Sequence, residues 1–240
     1  MAQLIVNFGF DTMVPETKDR LIAPRISELS TPRIPDISAS RKYPLNAFIE
    51  NTDLSLVLPN LMRQACFNFL RNVEAAFDEY CDARIALFEY LRLRDRTVTP
   101  YFSSLRCFEH CLAHLYHGVV SVNVFGKEKQ FEHDDGSVLD RVLTLHNHVK
   151  HMDKEYKRVA IRDEISFKLF ATRDDGSTNI SYGVGDVSNV PIWLTNQGLE
   201  CLKTSLTYSE LADEVLSALD EPCDVAVLQP KNLKRSASQP

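Results

Sequence analysis

The sequence lacks the runs and motifs that would assign it quickly. It has no stretch of about 18 uncharged apolar residues, the length a membrane-spanning helix needs, so no membrane partner is expected. The most apolar uncharged segment, Cys111 to Gly126, is shorter and carries two histidines and an asparagine. Met1 to Asp11 has no cationic region ahead of an apolar core and a small-residue cleavage site, so no signal peptide is expected. HExxH and CxxC are missing, as are the GxSxG elbow and the GxxxxGK[ST] phosphate loop. Gly183-Val-Gly185, followed by Asp186 and Ser188, reads as a turn. Basic residues are in deficit: 27 Lys and Arg stand against 33 Asp and Glu, a formal charge of -6. That balance argues against a general binder of nucleic acid, which gains affinity by neutralising many phosphates.

What is present describes a folded protein. The 240 residues suffice for one large domain or two small ones. Hydrophobic residues make up 44% and charged residues 25%, which excludes a disordered chain. The six cysteines lie scattered in long periodic segments and not in a tight loop-rich frame. Free thiols in a reducing cytosol are the expectation, and with them a cytoplasmic location.

Four regions follow from texture. Residues 1–50 read as a short strand, Gln3 to Phe10, and a proline-rich arm. Five of the eleven prolines (Pro15, Pro24, Pro32, Pro35, Pro44) fall between positions 13 and 45. Proline removes backbone donors, so this stretch is expected to be extended, wrapping either its own domain or a partner chain. Residues 51–158 read as a helical bundle. From Val57 to Arg96, Leu61, Phe67, Leu70, Val73, Phe77, Tyr80, Ile85, Phe88 and Leu91 recur mostly at steps of three or four. Pro100 breaks that run. A second helix is expected from Tyr101 to Val122 and a third from Ser137 to Arg158, joined by short connections as in an antiparallel bundle. Residues 159–228 read as a small α+β region. It has a hairpin around Arg173 to Gly176 and a helix N-capped by Thr195. A last helix follows behind the capping-box spacing Thr207 to Glu210. Trp193 and Phe170 are read as core residues. Residues 229–240 are polar and basic, a disordered tail.

All seven histidines lie between His110 and His151. One group, Cys107, His110, Cys111, His114 and His117, forms a stripe along the second helix. Such spacing permits metal ligation by thiolate and imidazole. Ligands must converge from different directions, however, and one helix cannot close a tetrahedral site. The stripe therefore reads first as a helix face of small hydrophobes and half-buried imidazoles, and neither a metal nor another cofactor is assigned. The run Arg92 to Arg96 reads as a solvated helix end, with phosphate contact as the alternative. The second group is His146-Asn-His-Val-Lys-His151. Asn147 and His151 stand four residues apart on one helix side, with His146 nearer the apolar face. Asn147 can orient the His151 ring for proton transfer, while Lys150 or Arg141 holds a phosphate oxygen. Neutral imidazole takes a proton and imidazolium returns one near pH 7. That suits RNA cleavage by its own 2′-hydroxyl without metal. A polar, His-rich helix face with no chemistry stays open beside it.

The segment Leu145-His-Asn-His-Val-Lys-His151-Met-Asp resembles the signature of HEPN domains, over roughly residues 55–158. In that family an Arg, commonly followed by Asn, is separated from a His by four to six intervening residues. His151 matches the family His and Asn147 the polar residue after the Arg, while His146 occupies the Arg position. Arg141 followed by four residues and His146 satisfies the spacing formally without the adjacent Asn. The resemblance implies a mainly α fold, a HEPN-like antiparallel bundle with the small α+β region appended, and a homodimer. It implies an RNA-associated protein, a metal-independent endoribonuclease of a defence or toxin–antitoxin type. There His151 would be acid/base, Asn147 its orienter, and Arg141, His146 or Lys150 the phosphate contacts. It equally allows a catalytically inactive scaffold for a protein partner or small ligand. The replaced Arg favours that alternative, because imidazole is a weaker and pH-dependent phosphate clamp.

Overall fold

A computed structural model describes residues 15–50, 58–123, 134–151, 170–174, 177–181, 190–201 and 204–220. The protein is mainly helical, with a small three-stranded antiparallel sheet toward the C-terminus. The expected strand at Gln3 to Phe10, the turn at Gly183 to Gly185, His133 and the tail lie outside the described residues.

Two long helices carry the bundle. Helix α3 runs Asn60–Leu93, 34 residues and about 50 Å at 1.5 Å per residue. Helix α4 runs Thr99–Asn123, with Pro100 in its first turn, where a missing N–H costs nothing. The two are antiparallel: Ser104 Oγ donates to Ala83 O at 2.8 Å, and the Tyr90 and Tyr101 rings meet at 5.4 Å. Leu70, Val73, Phe77 and Tyr80 are buried on α3 as the periodicity predicts. Leu61, Phe67, Ile85 and Phe88 are exposed instead, and Cys66, Phe69, Ala76, Ala83 and Leu87 fill the interface. The cause is close helix approach. Fully buried Ala76 and Ala83 let α4 come near, so the seam follows the small side chains as much as the large ones.

The proline-rich stretch departs from the expected extended arm. It forms helix α1, Pro15–Leu21, two short 3₁₀ turns, and helix α2, Pro44–Glu50. Pro15 and Pro44 open those helices, the position at which proline's fixed φ is favourable. Of the two alternatives for the arm, the described residues show it wrapping its own domain. Ile22, Ala23, Ile26, Leu29, Ile34, Ile37 and Phe48 join the main hydrophobic core. Glu74 Oε1 accepts from Leu45 N at 2.8 Å, and Arg41 pairs with Asp78.

Helix α5, Val138–Lys150, starts at Ser137, whose side chain accepts from Asp140 N. It ends at His151, so the expected continuation through 152–158 lies outside the described residues. Strands β1, Phe170–Asp174, and β2, Ser177–Ser181, pair antiparallel as the expected hairpin; Arg173 and Asp174, expected in its turn, belong to β1, and positions 175 and 176 lie outside the described residues. Strands β3, Trp193–Leu194, β4, Gly198–Glu200, and β5, Ser205–Thr207, form the sheet, and helix α6, Tyr208–Asp220, follows. The capping box ahead of α6 is present: Thr207 N donates to Glu210 Oε2 at 3.0 Å and Glu210 N to Thr207 Oγ1 at 3.2 Å. The helix expected after Thr195 is replaced by β4 and β5. Thr195 Oγ1 does accept backbone N–H groups, from Gln197 and Gly198 at 3.2 Å each. Those donors close a tight turn between strands, a use of the same side-chain chemistry that spacing does not separate from a helix cap. Trp193 is buried, as read from the sequence.

Gly198 shows how closely β4 approaches β5. A Cβ there would sit 2.1 Å from Leu206 O and 2.6 Å from Thr207 Cα. On Gly118, in α4, a Cβ would meet Phe69, Asn72 and Val73 at ordinary distances of 3.6–3.7 Å. Gly198→Ala is expected to lower unfolding free energy by about 3 kcal/mol or more, through backbone overpacking. Gly118→Ala is expected to raise it by about 0.5–1 kcal/mol, the helix propensity gain. Urea denaturation of both variants checks the pair, and equal midpoints would contradict it.

Candidate functional site

Helices α4 and α5 pack together and bring the two histidine groups of the sequence into contact. His146, on the inner face of α5, is 8% exposed. Its ring stacks on Tyr116 of α4, with centroids 4.9 Å apart and planes at 27°. His117, one residue further along α4, meets His146 edge-on at 5.8 Å and Tyr116 at 5.4 Å. Buried His146 Nε2 has no hydrogen-bond partner among the described residues. Loss of hydration, and after it the neighbouring His117, Lys150 and His151, push the His146 pKa down to about 4. His146 is therefore a neutral imidazole near pH 7, held by a ring stack beside three other nitrogen bases.

The remaining candidates sit around it. Lys150 is exposed, and Asn147 and His151 are half-buried. His151 is the C-cap of α5, and its backbone N–H donates to Asn147 O at 3.0 Å. That contact between the predicted base and its predicted orienter is a main-chain one. Arg141 stands apart from this group. Its Nη2 lies 2.7 Å from Glu210 Oε1, its Nη1 3.0 Å from Oε2, and Nη1 also donates to Ser205 O at 3.2 Å. The fork joins α5 to α6 and β5, and it holds the Glu210 carboxyl well down, at about 2. Both ends of the guanidinium are thus engaged within the chain. The structure brings Tyr116 and His117 of α4 onto His146, leaves Lys150 and His151 at the end of α5 about one turn further on, and places Arg141 in a joint to α6 and β5.

The rest of the α4 stripe faces α3. His110 Nδ1 lies 3.3 Å from Glu79 Oε1, and His114 Nδ1 lies 3.0 Å from Asn72 Oδ1. Burial pushes the Cys107 thiol up to about 11 and the fully buried Cys111 thiol higher still, so both are protonated thiols at neutral pH. Burial also lowers the His114 pKa. Among the described residues, no group of three or more His, Cys, Asp or Glu side chains is placed to hold a metal ion. Arg92 bonds Glu89 in its own last turns, at 2.7 Å.

Sequence spacing assigned His117 to the α4 stripe and left Tyr116 unmarked. The missed signal was phase: His117 continues the stripe by three residues, but α4 faces α3 along one side and α5 along another. A pair of aromatic-class rings at neighbouring positions spans that boundary.

The His146 environment sets a pH dependence. Its unfolded value is near 6.5 and its folded value about 4, so between them the unfolded chain binds the extra proton. Stability is fully present above pH 6.5 and is lost as pH falls toward 4. About 3 kcal/mol should disappear as pH falls through that window. His146→Phe keeps a ring on Tyr116 and removes the proton, so its unfolding free energy should fall less over the same range. Equal slopes for the two proteins by urea titration would rule out this account of His146.

Among the described residues, no helix is long and apolar enough to cross a membrane. No protein-family model, curated protein or solved structure matches the chain, so the function is read from the chemistry of these side chains.

Proposed function

We propose that the chain is a HEPN-like, RNA-associated protein that engages RNA at the C-terminal end of α5. One observation carries the reading: the His117 and His146 rings of α4 and α5 meet at 5.8 Å, one helical turn before Lys150 and His151. In an overall acidic chain, that is a local patch suited to a phosphate backbone. The catalytic form of the reading is metal-independent endoribonuclease activity. His151 acts there as acid or base on the 2′-hydroxyl and the leaving 5′-oxygen, Asn147 shapes the helix end that carries it, and Lys150 contacts phosphate. His146 acts through packing and as a neutral hydrogen-bonding group. A second copy of the chain would complete the cleft.

A second reading is favoured by the Arg141–Glu210 fork. With that guanidinium engaged in the chain, the best phosphate clamp near the motif serves the fold. The domain is then a catalytically silent HEPN-like scaffold for a protein partner or small ligand.

The two readings separate in one assay. A mixed RNA substrate is incubated with the full chain in EDTA, beside His151→Ala. The nuclease reading expects cleavage by the wild type and a loss of roughly 10²–10⁴-fold in the variant, the usual contribution of a general acid or base. A folded wild type that leaves the RNA intact would move the assignment to the scaffold.

A further inference from the structure

We propose that the outer face of α3 is a self-association surface, on which a second copy of this chain lies antiparallel about a two-fold axis beside Ala76. The inference goes beyond the RNA-directed reading and does not rest on it. The face belongs to α3, whereas His151 stands at the end of α5, which packs on α4, α6 and β5. The other sides of α3 pack on α4, α6 and α2. Its outer face carries Gln64, Phe67, Arg71, Asp78, Asp82 and Ile85, all exposed. Phe67 at 40% and Ile85 at 64% exposure would, taken singly, be ordinary surface residues. Their placement relative to two charges carries the inference.

The first support is register. At 3.6 residues per turn, Phe67 and Ile85 stand about five full turns apart and Arg71 and Asp82 about three. Each pair therefore lies along one line of the helix, the second line about 50° round from the first. Both pairs are centred beside Ala76. A two-fold axis there, perpendicular to α3, reverses the helix and keeps each line on its own side. Phe67 of each copy then meets Ile85 of the other, and Arg71 of each meets Asp82 of the other, as in an isologous interface. The second support is charge. Among the described residues, neither Arg71 nor Asp82 has an ion-pair partner. Arg33, Arg94 and Arg106 lack one too, but Arg71 has a carboxylate at the matching reversed position. Within one helix the two charges stand about 16 Å apart, so only a second copy can join them. Asp78, which the axis brings near its own counterpart, is already paired with Arg41, and Glu89 with Arg92. The third support is area. The strip from Gln64 to Glu89 is about 38 Å long and about 10 Å wide, roughly 400 Å² on each copy. A total of roughly 800 Å² falls below the range of permanent complexes, so the dimer is a reversible one that forms at micromolar concentration.

The test is sedimentation velocity of the full chain across the micromolar range at low salt, with circular dichroism as the check on folding. The wild type should pass from monomer to dimer as concentration rises. Arg71→Glu and Asp82→Arg each set like charges against each other and should weaken the dimer about tenfold or more. The double variant exchanges the charges and should recover wild-type association to within about threefold. An equimolar mixture of the two single variants should also dimerise, because every pair between positions 71 and 82 is then opposite in sign. A wild type that stays monomeric at the highest concentration overturns the inference. A dimer that neither single reversal weakens overturns this face and moves the contact elsewhere, leaving the RNA-directed reading untouched. A loss in both single variants that neither the double variant nor the mixture restores overturns the antiparallel register.

Discussion

The fold depends on one aromatic joint. Tyr80, fully buried in the middle of α3, meets Phe108 of α4 edge-on at 6.0 Å, and Phe108 stacks on Tyr208 at 5.4 Å. The Tyr80 hydroxyl lies 3.3 Å from both Pro35 O and Tyr208 O, and the Tyr208 hydroxyl donates to Thr195 O at 3.0 Å. Tyr101 OH accepts from Leu194 N nearby, at 3.2 Å. Three phenols therefore reach backbone groups of the arm, the sheet and the last helix from inside an otherwise apolar core. Such rings contribute large buried areas and keep their polar ends satisfied, which a leucine in the same place cannot do.

Because of that joint, the helical part and the sheet part share a single hydrophobic core. The polar connections around it have a division of labour. Glu210 serves the capping box of α6 through Thr207 and clamps Arg141 of α5. That one carboxylate fixes where α5 lies relative to the sheet, and α5 in turn sets His146 against Tyr116. The candidate site is held in place by a contact on the opposite side of the helix that carries it.

Legibility in the sequence followed the range of the interaction. The helix start at Ser137, the Pro100 break and the Thr207–Glu210 box are set within four residues, and each was readable. The phase of α3 was readable only where large apolar residues mark the seam. Ala76 and Ala83 bury just as fully, and nothing in their identity announces it. Thr195 was read as a helix cap because turn and cap use the same hydroxyl in the same way. Arg141 was read as a phosphate contact because its partner Glu210 lies 69 residues away. His146 near the apolar face was readable from its own helix, whereas its encounter with Tyr116 and His117 depends on how two helices cross. Contacts set by three-dimensional packing leave no spacing to read.

Asn196 gives the fold a direction in time. Its Oδ1 accepts from Ser30 N and Thr31 N, its Nδ2 donates to Glu28 O, and its own carbonyl accepts from Arg33 N at 2.8 Å. The partners stand 165–168 residues earlier in the chain for the three side-chain bonds. Synthesis runs from the N-terminus, so the arm emerges before the turn that receives it. Until the turn at Asn196 exists, the backbone N–H groups of Ser30, Thr31 and Arg33 lack these acceptors. The arm meets α3 through Leu45 and Glu74, but its stretch from Glu28 to Arg33 gains these acceptors and donors only after Asn196 has been added to the chain.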